Sequence, residues 1–161
     1  TNQGYGDSSL WARGQAWAIY GYTMMASETG SPEYLAQAKH IARFLMNHPN
    51  MPADKVPYWD FDAPNIPDAP RDASAAAIMA SALIELSQLD KSDEAKSYLD
   101  FAAQQVRSLS SPEYLAEKGT NCNFVLKHST GHLPGNSEVD VPLSYADYYY
   151  VEALMRLKKL I

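Results

Sequence analysis

Hydrophobic positions divide the chain into two kinds of segment. From residue 10 to residue 27 the only charge is Arg13, and Trp11, Trp17, Ile19, Tyr20, Tyr22, Met24 and Met25 spread over most of a helical circumference. A helix that is apolar on all sides is expected to be enclosed by protein. Thr29 and Gly30 break the pattern, after which Ser31, Pro32 and Glu33 supply an N-cap, a proline at the first helical position and an acid in the first turn. The helix that follows, to about residue 48, places Leu35, Ala38, Ile41, Ala42 and Leu45 on one stripe, with Glu33, Lys39 and Arg43 on the other face. It is predicted to lie at the surface.

The alternation then repeats. Residues 73–84 (ASAAAIMASALI) carry no charge, and their small side chains suit close packing on every side. Residues 92–109 set Ala95, Leu99, Ala102, Val106 and Leu109 against Asp93, Glu94, Lys96, Asp100 and Arg107, the signature of an outer helix. A last helix, about residues 144–160, contains Tyr145, Tyr148, Tyr149 and Tyr150 and reads as mostly enclosed. Enclosed helices thus begin near positions 9, 73 and 144, with an amphipathic helix between each pair, a weak repeat of helical hairpins. Each is approached by a long polar segment bearing glycine or proline, over residues 1–9, 49–72 and 118–142. Long loops of this kind usually carry function. Two layers of helices whose long loops all open onto the start of an inner helix describe half of a toroid of α-hairpins, with functional loops at one rim. An open helical solenoid is the competing architecture, although its repeats are shorter and its loops tighter.

Composition narrows the class. The 161 residues are 46% hydrophobic and 20% charged, enough for one ordered domain with its own core. A single cysteine, Cys122, allows no internal disulfide and no cysteine-built metal cluster, and it leaves cytoplasm and periplasm equally open. The net charge of -6, with no cluster of Lys and Arg, argues against nucleic acid as a partner. Arg13 and Gln15 interrupt the apolar run at residues 10–27, which makes it a poor membrane span, and no signal peptide marks the beginning of the sequence. No cofactor is expected, and oligomeric state is not legible.

The densest candidate chemistry is QGYGDSSLWARGQAW, from Gln3 to Trp17, with one guanidinium between two indoles at the mouth of an otherwise uncharged helix. An unpaired buried Arg is costly. With Asp7 or Ser8 as helix cap, Arg13 would sit in the first turn, where free N–H groups and the helix dipole also attract an anion. A planar guanidinium matches a carboxylate through two hydrogen bonds, and flat indole faces suit sugar rings, so an acidic sugar is the expected ligand. The plainer alternative pairs Arg13 with an internal carboxylate such as Asp7 and makes both tryptophans core. Arg13 and Trp17, four apart, share a helical face, whereas Trp11 is expected at the helix start, leaning over the rim.

These residues also carry a resemblance. QGY from Gln3, WARGQAWAIYGY from Trp11, VPYWDFDAP from Val56, PRDASAAA from Pro70, HSTGH from His128, SEVDVP from Ser137 and YADY from Tyr145 resemble, in order and over essentially the whole chain, glycoside hydrolase family 88, the unsaturated glucuronyl hydrolases. The resemblance implies an all-α fold, an (α/α)6 barrel of which residues 1–161 form the C-terminal part, with the N-terminal half outside this chain. It implies enzymes that act on oligosaccharides ending in a 4,5-unsaturated uronic acid. An Asp protonates C4, water adds at C5, and the resulting hemiketal opens the ring and releases the sugar, unlike displacement at the anomeric carbon. Carried over by motif, Gln3, Trp11, Arg13 and Trp17 line the unsaturated-uronate subsite. The catalytic Asp pair precedes the QGY stretch, so no carboxylate here corresponds to it and the 161 residues alone are expected to be inactive. Asp7 and Asp72 read instead as helix caps, Asp147 as a residue within a helix, and Asp60 and Asp62 as parts of a proline-rich turn.

On the last long loop, His128 and His132 are four apart, but Gly131 and Pro134 argue for loop rather than the helix a metal pair needs, so no metal is expected. His128, Ser129 and His132 are read as contacts to the second sugar. Tyr58, Trp59 and Arg71 either bind sugar or plug their loop against the barrel. Two rival functions remain at this level: an unsaturated rhamnogalacturonyl hydrolase, whose stretch around Arg-Gly differs, and a non-catalytic helical scaffold that binds glycan or protein.

Overall fold

The computed structural model describes residues 2–160, so Thr1, which opens the first approach segment, lies outside the described residues. Five α-helices account for the regular structure: α1 (Ala12–Thr29), α2 (Pro32–Met46), α3 (Ala73–Leu89), α4 (Ala95–Leu109) and α5 (Ser144–Lys158), with a short 3₁₀ turn at Asn121–Asn123. Among the described residues the only β pairing is in isolated bridges that tie loops together. No described helix is long and apolar enough to cross a membrane.

Helix α3 is the hub. It packs on α1, α4 and α5, and 14 of its 17 residues, Ala73 to Ile84 together with Leu86 and Ser87, are buried. Its alanines let neighbouring helices approach closely, while Ile78, Met79, Leu83, Ile84 and Leu86 fill the space between them. Full burial of each such side chain is worth about 1.5–3 kcal/mol, so this one helix supplies much of the core. Asp72 caps it, accepting the backbone N–H groups of Ser74 and Ala75. Helix α2 buries Ala38, Ala42 and Leu45 and is capped by Ser31, and α4 buries Tyr98, Phe101, Ala102, Gln105, Val106 and Leu109. Both are outer helices, as their patterns predict. Just beyond α2, the ring of His48 packs edge-on against Phe61, 4.9 Å away.

The first and last inner helices depart from expectation. Helix α1 buries a single stripe, Ala12, Arg13, Ala16, Ile19, Thr23 and Ala26, and leaves Trp17, Tyr22, Met24 and Met25 exposed. Helix α5 buries only Ala146, Tyr150 and Ala153, and Tyr148, Val151, Leu154 and Met155 are exposed. Each has the apolar circumference of an enclosed helix, but among the described residues only α3 has partners on all sides. The start of α1 is also corrected. Its N-cap position is Trp11, which makes no side-chain cap bond, so neither Asp7 nor Ser8 caps it.

Candidate functional site

The three inner helices begin at one rim, and the long loops hold them there by backbone bonds. Ala12 N donates to Trp59 O at 3.1 Å, Asp72 N to Pro57 O at 2.9 Å, and Ala73 N to His128 O at 3.0 Å. Asp60, fully buried in the 49–72 loop, fastens the approach to α1: it accepts Tyr5 N at 2.9 Å and Ser9 Oγ at 2.7 Å. Its neighbour Asp62 accepts Leu10 N at 3.0 Å. The approach segment thereby borders an open polar cavity of about 280 Å³, lined by Asn2, Gln3, Gly4, Gly6, Asp7, Ser9 and Trp11. Gln3 and Trp11 thus line the same pocket.

Arg13 is the main correction. It is almost wholly buried, and its Nη1 lies 2.7 Å from Oδ2 of Asp72, whose side chain is closed to solvent. Nη1 also donates to Thr130 O at 2.6 Å, and Nη2 donates to Gly131 O. The expectation of a solitary guanidinium therefore fails; the ion pair of the plainer alternative is present, with Asp72 rather than Asp7 as the carboxylate, but Trp17 is not core. Spacing in sequence did not reveal this because the partner arrives from the cap of another helix. The rings against Arg13 are those of Trp11, 4.8 Å from the guanidinium carbon, and Tyr145, at 5.7 Å. Trp11 reaches the cation because it stands outside the helix and folds back over the first turn. Only glycine at position 14 leaves room for this, since a Cβ there would fall 2.6 Å from Trp11 Cε3.

Trp17 instead joins an aromatic cluster between α1 and α5. Its ring is 5.1 Å from that of Tyr149 and 6.4 Å from that of Tyr145, and about a third of the residue is exposed. Tyr145 therefore links the Trp11–Arg13 end of the rim to Trp17. Burial pushes its phenol above the usual tyrosine range, reinforced by Asp72 and Glu138 and opposed by Arg13, so it remains a neutral O–H. Deeper in, Tyr20 donates to Glu152 at 3.2 Å and its acidity is weakened to about 12, first by burial and then by that carboxylate.

The 128–141 loop splits the second group of candidates. His132 Nε2 lies 2.8 Å from Asn2 O, which places this ring beside the Gln3 segment. Ser129 is fully buried, its backbone paired with Val141, and its hydroxyl has no hydrogen-bond partner among the described residues. His128 pairs with Asp140 at 2.6 Å and stands edge-on to Tyr114, a different neighbourhood from that of Gln3. Tyr58 and Trp59 are buried and Arg71 bonds Asp54 at 3.1 Å, so this group plugs its loop against the fold. Asp147, in the first turn of α5, accepts Val125 N and Leu126 N, both at 2.8 Å. Sequence reading missed Asp72 and Tyr145 as members of the rim. Their position at the first residues of α3 and α5, level with Trp11 on α1, was the available signal. No group of acidic, His or Cys side chains suited to a metal ion occurs among the described residues.

Over nearly its whole length the chain is similar to part of several known proteins. No family model matches the chain. An unsaturated glucuronyl hydrolase of Formosa agariphila is 55% identical over 161 residues, 100% of this chain and 40% of that protein. A crystal structure of an unsaturated glucuronyl hydrolase specific for heparin superposes with a TM-score of 0.97 at 54% identity, covering 99% of this chain and 43% of that one. A Streptococcus agalactiae unsaturated glucuronyl hydrolase variant complexed with dGlcA-GalNAc6S superposes with a TM-score of 0.90 at 32% identity, covering 100% of this chain and 42% of that one. The chain spans about two fifths of the length of the curated relatives it matches. The all-helical fold, part of an (α/α)6 barrel, is the one these enzymes share.

Proposed function

We propose, from the premise that this chain belongs to the unsaturated glucuronyl hydrolase family, that the protein of which it forms part hydrates the C4=C5 double bond of a terminal unsaturated uronic acid and releases that sugar. The observation that carries the proposal is the 55% identity to such an enzyme over all 161 residues, with Gln3 and Trp11 gathered at a polar cavity on the rim. The substrate class is an oligosaccharide produced by polysaccharide lyases from glycosaminoglycan or a related polymer.

Gln3, Trp11 and Trp17 are proposed to contact the uronate. His132 is proposed to approach the second sugar from the 128–141 loop, whereas Ser129 is fully buried behind it and His128 lies at the outer end beside Asp140. Arg13 belongs to the wall of the subsite, with its Nη groups already held by protein acceptors. The proton-transferring carboxylates are assigned outside these residues. Asp60, Asp72, Asp140 and Asp147 each have a hydrogen-bonding task within the fold.

Residues 1–161 are, on this proposal, the C-terminal part of one barrel domain and inactive by themselves. Support comes from the apolar faces left open on α1 and α5, the two inner helices that flank α3, which are the edges at which a half-ring would be closed. The test incubates the full-length protein with unsaturated chondroitin, hyaluronan and heparin disaccharides and follows the ultraviolet absorbance of the conjugated enol-uronate. Loss of absorbance on at least one is expected; no loss on any of them overturns the proposal.

A further inference from the structure

Asp72 carries more than a helix cap requires. Its Oδ1 takes the cap bonds from Ser74 N at 3.1 Å and Ala75 N at 3.4 Å, accepts the Ser74 hydroxyl, and lies 3.4 Å from Thr130 N. Ser or Asn would cap as well, without the cost of enclosing a charge. The additional oxygen, Oδ2, is committed to Arg13 Nη1 at 2.7 Å. The same guanidinium holds the carbonyls of Thr130 and Gly131, while Thr130 Oγ1 is tied to Arg71 O at 2.9 Å. A planar cation fixed by three acceptors has its plane fixed too, and Trp11 lies 4.8 Å from it, with its back against Gly14. One carboxylate thus joins the start of α1, the cap of α3 and the 130–131 peptide.

We propose that Asp72 is a positioning residue of the uronate subsite: through Arg13 it sets the tilt of Trp11 and the distance of the 130–132 segment from Gln3. This rests on the uronate subsite lying at this rim, as proposed above. Asp72 itself touches no substrate. Its carboxylate determines whether the indole wall and the loop opposite it are presented at the spacing a sugar ring needs.

The test uses the full-length enzyme and whichever of the unsaturated chondroitin, hyaluronan and heparin disaccharides it consumes, read as separate KM and kcat values alongside thermal midpoints. Asp72→Ser retains a capping oxygen and withdraws the carboxylate; Asp72→Glu retains the charge and displaces it by one methylene. Each is expected to lower kcat/KM by about tenfold or more, chiefly through KM. Leu86→Ala, a cavity in the same helix far from the rim, serves as a destabilised control whose KM should stay at the wild-type value. If Asp72→Ser fails to fold, Asp72→Glu and Arg13→Lys, which keep the opposed charges but break the three-acceptor geometry, are read in the same way. Wild-type KM in the folded variants, or an equal rise in Leu86→Ala, overturns the inference while leaving the activity intact. A wild-type enzyme that leaves all three disaccharides untouched overturns the activity itself, and the inference with it.

Discussion

Arg13 Nη1 stands 2.7 Å from Oδ2 of Asp72, 59 residues further along the chain, and neither side chain is open to solvent. An ion pair so enclosed adds little net stability compared with apolar side chains of the same size, but removing one partner leaves the other stranded. That asymmetry decides how substitutions at the rim must be interpreted. A loss of activity in Arg13→Ala reports a collapsed pair before it reports a lost substrate contact.

The pair is therefore expected to show strong coupling. Arg13→Met alone should destabilise the full-length protein by about 3–5 kcal/mol, because Asp72 is left buried without its cation. Adding Asp72→Asn should recover part of that loss, with a coupling of about 1–3 kcal/mol in a double-mutant cycle. Denaturant unfolding of the four proteins measures it, and strictly additive effects would contradict the enclosed pair.

Gly14 supplies a cleaner probe of Trp11. A Cβ at this position meets the indole at 2.6 Å, so Gly14→Ala must move the ring off the first turn of α1. The substitution favours the helix by about 0.5–1 kcal/mol in intrinsic propensity, which offsets some of the strain. The expected outcome is a raised KM for unsaturated disaccharides with a thermal midpoint close to wild type. A fall in stability with KM unchanged would place Trp11 outside the subsite.

How far these features could be read from sequence follows from how local their causes are. Ser31, Pro32 and Glu33 announced α2, and the uncharged run from Ala73 to Ile84 announced a fully enclosed helix, because caps and periodicity act within one element. The alternation of inner and outer helices followed from the same signal. Asp72 was legible as a cap but not as the partner of Arg13, since that bond joins two helices across the rim and no periodicity encodes it. The unequal burial of α1 and α5 was hidden for a related reason: an apolar circumference specifies that a helix will be covered without specifying by what.

On the outer layer, Lys39 reaches Asp90 at 2.9 Å and joins α2 to the turn between α3 and α4. Burial pushes the Asp90 carboxyl upward, but the bonds from Lys39 and Ser92 overcome it and leave the group below the usual range. A depressed acid contributes stability that is complete above its unfolded-state value and is lost as pH falls through the folded one. Wild type should therefore lose more stability than Asp90→Asn between about pH 5 and pH 2, the span that runs from just above the ordinary carboxylate value to below it. Thermal melts across that interval measure the difference, and parallel curves would exclude the contribution.

The open faces of the two edge helices predict a substitution whose effect changes sign with chain length. Tyr148, Val151 and Met155 lie along one side of α5 and border a groove of about 530 Å³, with Val151 and Met155 each about half exposed. Left bare, an apolar face of this kind drives self-association. Val151→Lys together with Met155→Lys should make residues 1–161, expressed alone, more soluble and more monomeric by sedimentation. In the full-length protein the same pair of charges would be buried at the seam where the ring closes. There it should cost several kcal/mol, since an unpaired buried cation has no compensating partner. If the double variant leaves the full-length melting curve unchanged, α5 is not a closing edge of the barrel, and the assignment of these residues as part of a single ring falls with it.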